Sequence, residues 1–296
     1  MTSELLPVEI GSAGDGTKKI ATLTLDQPGR PVVVIEQALL EQLDATLDSL
    51  PGDLDGFVLA SAADRAFVAG ADLKAIMALN DEQLHTYLEF GARVFQRIAD
   101  LPCPTAAAIH STALGGGLEL AMHCDGLIGV DDPSAKPFLI GLPEAGLKIC
   151  PGWGGTNLLP ARIDPKSAIV ATANGVAFKS DTAAELDIFD ATCDSRDEVV
   201  YAAKIWLIGQ DKPNRTGTPS RCIQTSSTDE IHAALKDASD EVETALHTKA
   251  VLDAVKIGIE QGWQASLQCE RNHLVQLRNT TPAQQAIEAF FNKSKK

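Results

Sequence analysis

The chain has 296 residues, 45% of them hydrophobic, and a formal net charge of −15. That length allows one large or two modest domains around a sizeable core, and the composition is ordinary for a globular protein. The acidic balance argues against a nucleic-acid partner, because phosphate backbones are held by basic patches. No apolar run approaches the roughly 20 residues of a membrane-spanning helix.

The opening stretch MTSELLPVEIGSAGDG has no basic segment followed by an apolar run, and it is too acidic and too poor in arginine for an organellar leader. A cytoplasmic location is expected. Residues 11–16, GSAGDG, have the glycine spacing of a dinucleotide fingerprint, but strand-like KIATLTL follows where a helix should start, which predicts a hairpin turn. Strands are expected at 20–25, 32–36 and 57–61, with a helix over 37–50. In AFVAGADLKAIM, residues 66–77, the chain turns through Gly70 into a helix starting near Asp72 or Leu73, with Lys74 in its first turn. An amphipathic helix is expected from about Glu82 to Leu101, and this alternation of strand and helix implies parallel strands.

PTAAAIH, residues 104–110, is a short apolar run behind a proline and predicts a buried strand. STALGGG breaks it, and LELAMHC resumes at helical spacing with Leu118, Ala121 and Met122 on one face. The glycines therefore fall where a strand meets a helix. Unpaired N–H groups there carry the positive end of the helix dipole and can hold an oxyanion, and glycine lets a ligand approach the backbone. Glu119 lies in that first turn, where a carboxylate alone is an ordinary dipole partner. A second glutamate, Glu144, follows a proline in GLPEAGLKICPGWGGT, residues 141–156. Two carboxylates beside glycine-rich turns suggest an acid/base pair next to a backbone anion hole.

Beyond residue 156, helices are expected over 167–172 and 197–208, with a short strand at 188–192. The polar stretch 210–230 divides a core domain, 1–209, from a C-terminal helical region, 231–296, with helices over 231–248, 249–268 and 282–292. The six cysteines form no CxxC pair and lack a secretory context, so they are expected to be reduced, buried small hydrophobes. Cys150, near Glu144, could line a pocket, but no base stands in register to make it a nucleophile. His123, Cys124 and Asp125 are consecutive, so they point in different directions and do not make a triad. No HExxH occurs, and no Gly-Lys-Ser/Thr follows the glycine triplet.

AFVAGADLK, LGGGLELAMHCD and LPEAGLKICPGWGGT, in this order and at these separations, resemble the enoyl-CoA hydratase/isomerase (crotonase) family. The likeness runs from about residue 5 to about residue 200 and more weakly to the C-terminus. DQPGRPVVVIE (residues 26–36) and the tail from Asn279 are similar to the hydratase region of multifunctional fatty-acid β-oxidation α subunits. The resemblance implies an α/β fold, a spiral of ββα turns with a C-terminal helical domain that covers the active-site mouth and makes subunit contacts. Phe290 and Phe291 are packing or interface candidates there.

By that resemblance, the oxyanion-hole donors are the N–H groups of Ala71 and Gly116, and the catalytic glutamates are Glu119 and Glu144. Coenzyme A contacts fall on Ala69, Ala71, Asp72, Leu73 and Lys74. Independently of the resemblance, the phosphates of coenzyme A need local positive groups, for which Lys74 is one candidate and Lys293, Lys295 and Lys296 a weaker one, a solvated helix end with lysines complementing the dipole being the favoured reading of that tail. The implied reaction is hydration of 2-enoyl-CoA thioesters to 3-hydroxyacyl-CoA. Glu119 would activate the water and a protonated Glu144 would deliver the proton to C2, the two titrating as a coupled pair. Isomerisation of 3-enoyl-CoA to 2-enoyl-CoA and a silent subunit of a β-oxidation complex are the alternatives. No metal and no cofactor is implied, coenzyme A being part of the substrate. A homo-oligomer, trimer or dimer of trimers, is implied, with a hydroxyacyl-CoA dehydrogenase or thiolase as possible partners. Trp153, where the family often has a small residue, and NLLPARI at 157–163 depart from the pattern and bear on acyl-chain preference.

Overall fold

The computed structural model describes residues 4–14 and 16–293. β1 (Val8–Gly11) and β2 (Ile20–Leu25) pair antiparallel, Gly11 opposite Ile20, so the glycine-rich stretch between them joins a hairpin; Asp15 lies outside the described residues. α1 (Gln37–Asp48) buries Leu39, Leu40, Leu43 and Leu47, one stripe at helical spacing. β3 (Gly56–Ser61), β4 (Ala66–Val68), α2 (Leu73–Ala78) and α3 (Asp81–Ala99) follow. Next come β5 (Thr105–Ile109), β6 (Thr112–Leu114), α4 (Gly116–Met122), β7 (Gly126–Val130) and β8 (Leu139–Gly141). After a 3-10 turn at Pro143–Leu147 stand α5 (Gly155–Leu158), α6 (Pro165–Asn174), β9 (Ala177–Lys179), α7 (Ser180–Glu185), β10 (Ala191–Cys193) and α8 (Val199–Ile208). α9 (Thr228–Glu241), α10 (Leu246–Gln261), α11 (Trp263–Leu277) and α12 (Thr281–Lys293) end the described chain.

The chain divides into two compact units. One consists of Met1–Gly70, Arg93–Ile140 and Phe178–Ser220; the other of Ala71–Ala92, Gly141–Ala177 and Arg221–Lys296.

The first unit is built on a sheet of order β1-β2-β3-β5-β7-β10, parallel from β2 onward, as strand–helix alternation requires. β5 and β7 are buried along their whole length, which is why they read as unbroken apolar runs. α8 closes a core of Val58, Ala106, Ala108, Ile128, Val199, Ala203 and Leu207. A smaller sheet has the order β4-β6-β8-β9. Arg215 clasps the polar loop after α8, pairing with Asp125 at 2.6 and 2.9 Å and donating to the carbonyls of Leu101 and Cys103 at 2.8 and 2.7 Å.

The strand expected at 32–36 does not form. Ala69 N–H donates to Val33 O at 2.8 Å and Ile35 N–H to Gly70 O at 2.9 Å, so this apolar stretch spends its backbone on the loop after β4 and leaves only a bridge residue at Ile35.

In the second unit α10 lies against α11, α6 and α9 around Ile169, Ile223, Ile231 and Val255. The helix breaks differ from those expected. α9 stops at Glu241, and α10 gives way to α11 at Gly262, whose φ of 89° suits a residue without Cβ. No helix among the described residues is long and apolar enough to cross a membrane.

Candidate active site

In the first unit, β4 and β6 run parallel, with Val68 paired to Ala113, so the loops leaving their C-terminal ends emerge side by side. Gly70 shows how closely: its φ is 114°, and a Cβ on it would stand 3.2 Å from Leu114 O. Gly115, with φ 53°, is the N-cap of α4, and Gly116 is its first residue. The N–H of Glu119 donates to Gly115 O at 2.9 Å, closing the first turn. The N–H of Gly116 is thus one of the helix-start donors with no partner inside the helix, aligned with the positive end of its dipole.

Every residue of α4 is buried, so the helix has no solvent face; Leu118, Ala121 and Met122 are only part of its packed surface. Gly117 allows this, since a Cβ there would lie 2.4 Å from Val68 O. Glu119 is 1% exposed. One turn on, His123 donates from Nδ1 to Glu119 O at 2.8 Å and stacks edge-on against Phe95. Burial pulls its pKa down to about 4, so the imidazole is neutral and its tautomer is fixed by that bond. Asp125 accepts from Thr105 N and Oγ1 and pairs with Arg215, so His123, Cys124 and Asp125 do not form a relay.

The second unit holds Ala71, Asp72, Leu73, Lys74 and Glu144. Asp72 caps α2, accepting from Lys74 N at 2.9 Å and Ala75 N at 3.3 Å. Leu73 is half-buried and Lys74 is exposed, its Nζ 6.0 Å from the Phe291 ring centroid. At the other end of α2, Arg278 is 3% exposed and donates to Ile76 O and Leu79 O, both at 2.5 Å, while pairing with Asp81 at 2.6 Å. Side chains therefore close both ends of this short helix. Phe290 is 46% exposed and meets Phe291 edge-on. Lys293 ends α12; Lys295 and Lys296 lie outside the described residues.

Glu144 occupies the first turn of the 3-10 segment, which Lys148 ends with a left-handed φ of 63°. Its Oε2 is buried and has no hydrogen-bond partner among the described residues. Burial first, and then the negative charge of Glu270, raise its pKa to about 8, while a backbone hydrogen bond opposes the shift.

Glu270 belongs to no motif in the sequence. It is fully buried on α11, where its carboxylate accepts from Gly154 N at 2.6 Å, Thr156 N at 2.8 Å and Thr156 Oγ1 at 2.6 Å. Burial raises its pKa against the pull of those donors. Its signal in the sequence is a carboxylate on an apolar stripe, three residues after Leu267 and four before Leu274.

Trp153, 1% exposed, donates from Nε1 to Leu88 O at 2.9 Å and meets Tyr87 edge-on. The Cys150 thiol donates to Glu270 O at 3.6 Å. The cysteines depart partly from expectation, since Cys193 and Cys269 are only half-buried; burial still pushes the Cys103 and Cys269 thiols up to about 11. Among the described residues no group of three His, Cys, Asp or Glu side chains could hold a metal ion.

Residues 15–210 match the family model described as enoyl-CoA hydratase/isomerase. The chain is 32% identical over 292 residues to the fatty acid oxidation complex subunit alpha of Aliivibrio fischeri, covering 93% of this chain and 40% of that protein. It thus spans well under half the length of that relative. Among solved structures it is similar to an enoyl-CoA hydratase from Bacillus anthracis, with a TM-score of 0.59 and 25% identity over 98% of this chain and 97% of that one. It also resembles human mitochondrial delta3-delta2-enoyl-CoA isomerase, with a TM-score of 0.68 and 19% identity over 99% and 98% of the two chains, a likeness of fold alone. The α/β architecture with its C-terminal helices is the crotonase fold that the motifs implied.

Proposed function

The chain belongs to the enoyl-CoA hydratase/isomerase family, and on that premise we propose that it adds water across the 2,3-double bond of 2-enoyl-CoA thioesters, giving 3-hydroxyacyl-CoA. The N–H groups of Ala71 and Gly116 hold the thioester oxygen, on which negative charge grows as C3 is attacked; one such donor is worth roughly 3 kcal/mol of transition-state stabilisation in other enzymes. Glu119 takes a proton from the attacking water, and Glu144 gives one to C2. Ala69, Asp72, Leu73 and Lys74 line the path of coenzyme A, Asp72 by capping α2 and Lys74 by bringing a positive charge to its phosphates. Coenzyme A enters as substrate, and no further cofactor is needed.

The observation that carries this reading is the Glu144 carboxyl. It is buried with no hydrogen-bond partner on Oε2 among the described residues, and burial pushes it up to about 8, so it keeps its proton at neutral pH, which a general acid requires. The same group supports a second reading, isomerisation, since moving a 3-enoyl double bond to the 2-position needs one carboxyl that removes a proton from C2 and returns one to C4. The presence of both glutamates favours hydration and speaks against a silent subunit. A cytoplasmic homo-oligomer working beside other β-oxidation enzymes completes the proposal; the naming of the Aliivibrio fischeri relative as a complex subunit supports it.

The test offers 2-enoyl and 3-enoyl thioesters of several acyl lengths and follows the enoyl absorbance. Glu119→Gln and Glu144→Gln should each slow hydration by about 10²- to 10⁴-fold. An undiminished rate in either would sink the two-glutamate mechanism.

A further inference from the structure

Glu270 is a fully buried carboxyl that no step above uses. Its side chain holds Gly154 and Thr156, and its backbone carbonyl receives the Cys150 thiol. Cys150, Gly154 and Thr156 lie 6, 10 and 12 positions after Glu144, and Ile149 N–H, bonded to Glu144 O at 3.3 Å, links the two stretches. The glycine-rich stretch at residues 151–156 is fixed at Trp153 by its bond to Leu88 O and at Gly154 and Thr156 by three hydrogen bonds to the Glu270 carboxylate.

We infer that Glu270 is a positioning residue for Glu144: it is the ionised member of a buried carboxyl pair, anchoring the segment after Glu144 while its charge keeps the Glu144 proton in place. The inference rests on the reading of Glu144 as the acid. The charge goes where the donors are. Glu270 has three short donors, whereas Glu144 Oε2 has none among the described residues. Two buried carboxyls whose charges repel resist ionising together, so the one with fewer donors retains the proton.

The charged groups on the surrounding elements are engaged elsewhere. On α11, Arg271 faces Glu89 at 3.7 Å and His273 faces Asp253 of α10 at 3.3 Å. Lys256 of α10 pairs with Glu260 at 3.9 Å, and Lys166 of α6 with Glu241. Lys148 is held by His247 at 3.4 Å and Glu243 at 3.8 Å, while Glu288 and Lys293 of α12 are exposed.

The test reads the Glu144 carboxyl directly, by infrared pH titration without substrate, identifying its band as the one lost in Glu144→Gln. In the wild type the midpoint should lie near 8. Glu270→Gln keeps the shape and an acceptor for Thr156 but removes the charge, and should move the midpoint down by a unit or more, shifting the alkaline limb of the kcat profile with it. Thr156→Val removes one donor, makes Glu270 harder to ionise, and should move the midpoint the same way by less; it decides the matter if Glu270→Gln does not fold. A wild-type midpoint in the ordinary carboxyl range, or one unmoved in the folded variants, overturns the inference. Because the band is read without substrate, a wild type that turns over no enoyl thioester would defeat the assigned reaction and leave the coupling measurable.

Discussion

Gly117→Ala sets two opposite effects against each other at the junction of α4 and β4. In a helix interior, alanine in place of glycine should stabilise by roughly 0.5–1 kcal/mol. The added carbon, however, would stand 2.4 Å from Val68 O, 2.7 Å from Val68 Cβ and 2.9 Å from Val68 Cγ1. A rotamer change at Val68 relieves only the last of these, because the other two atoms are fixed to the strand. Overpacking of this kind costs about 1–3 kcal/mol, and a backbone contact this short belongs at the upper end. The steric term wins, leaving a net loss of about 2 kcal/mol and a melting temperature lower by about 3–5 °C. Function should suffer more than stability. β4 leads in two residues to Gly70, and α4 begins at Gly116, so whichever element yields, the two loops proposed to carry the oxyanion donors are disturbed. A misplacement of about 1 Å commonly costs about 100-fold in rate. Thermal melting and crotonyl-CoA hydration measure both, with Gly52→Ala as control because a Cβ there meets nothing within 4 Å. If Gly117→Ala melts at or above the wild type and turns over normally, the helix does not rest on β4 as described.

Two further outcomes follow from buried polar groups. Arg215→Met should lower stability to urea by about 2–3 kcal/mol, less than the 3–5 of a fully buried broken pair because Arg215 and Asp125 keep 14% and 15% of their side-chain exposure; a loss under half a kcal/mol would show that the clasp contributes nothing. His123, with its pKa lowered by burial from 6.5 to about 4, resists protonation when folded, so its contribution is fully present above pH 6.5 and is lost as the pH falls through about 4, roughly 3 kcal/mol in all. Urea unfolding across that window should be correspondingly less pH-dependent in His123→Asn, and parallel curves for the two proteins would contradict the assignment.

What could be read in advance depended on whether the information was local. α3 announces itself through Leu84, Tyr87, Leu88, Phe95 and Ile98, buried at helical spacing, and β5 through an unbroken apolar run. The segment 32–36 has the same apolar character, but its hydrogen bonds go to Ala69, Gly70 and the Gln27 side chain, and nothing in its own residues says so. β4 and β6 are three residues each, too short to leave a period, so the adjacency of Gly70 and Leu114 was visible only as a resemblance. Glu270 was hidden for a related reason. Its stripe was legible, but its partners Gly154 and Thr156 lie 116 and 114 residues away.

The cap that Arg278 places on α2 also has a consequence in time. Ile76 O and Leu79 O wait for a guanidinium that the ribosome adds 202 and 199 residues later. A nascent chain can assemble the parallel sheet once β10 has emerged, yet α2, with Leu73 and Lys74 on it, keeps open carbonyl ends until the residue after α11 has been added. The part of the molecule proposed to greet coenzyme A is therefore synthesised some 199 to 202 residues before the side chain that closes it.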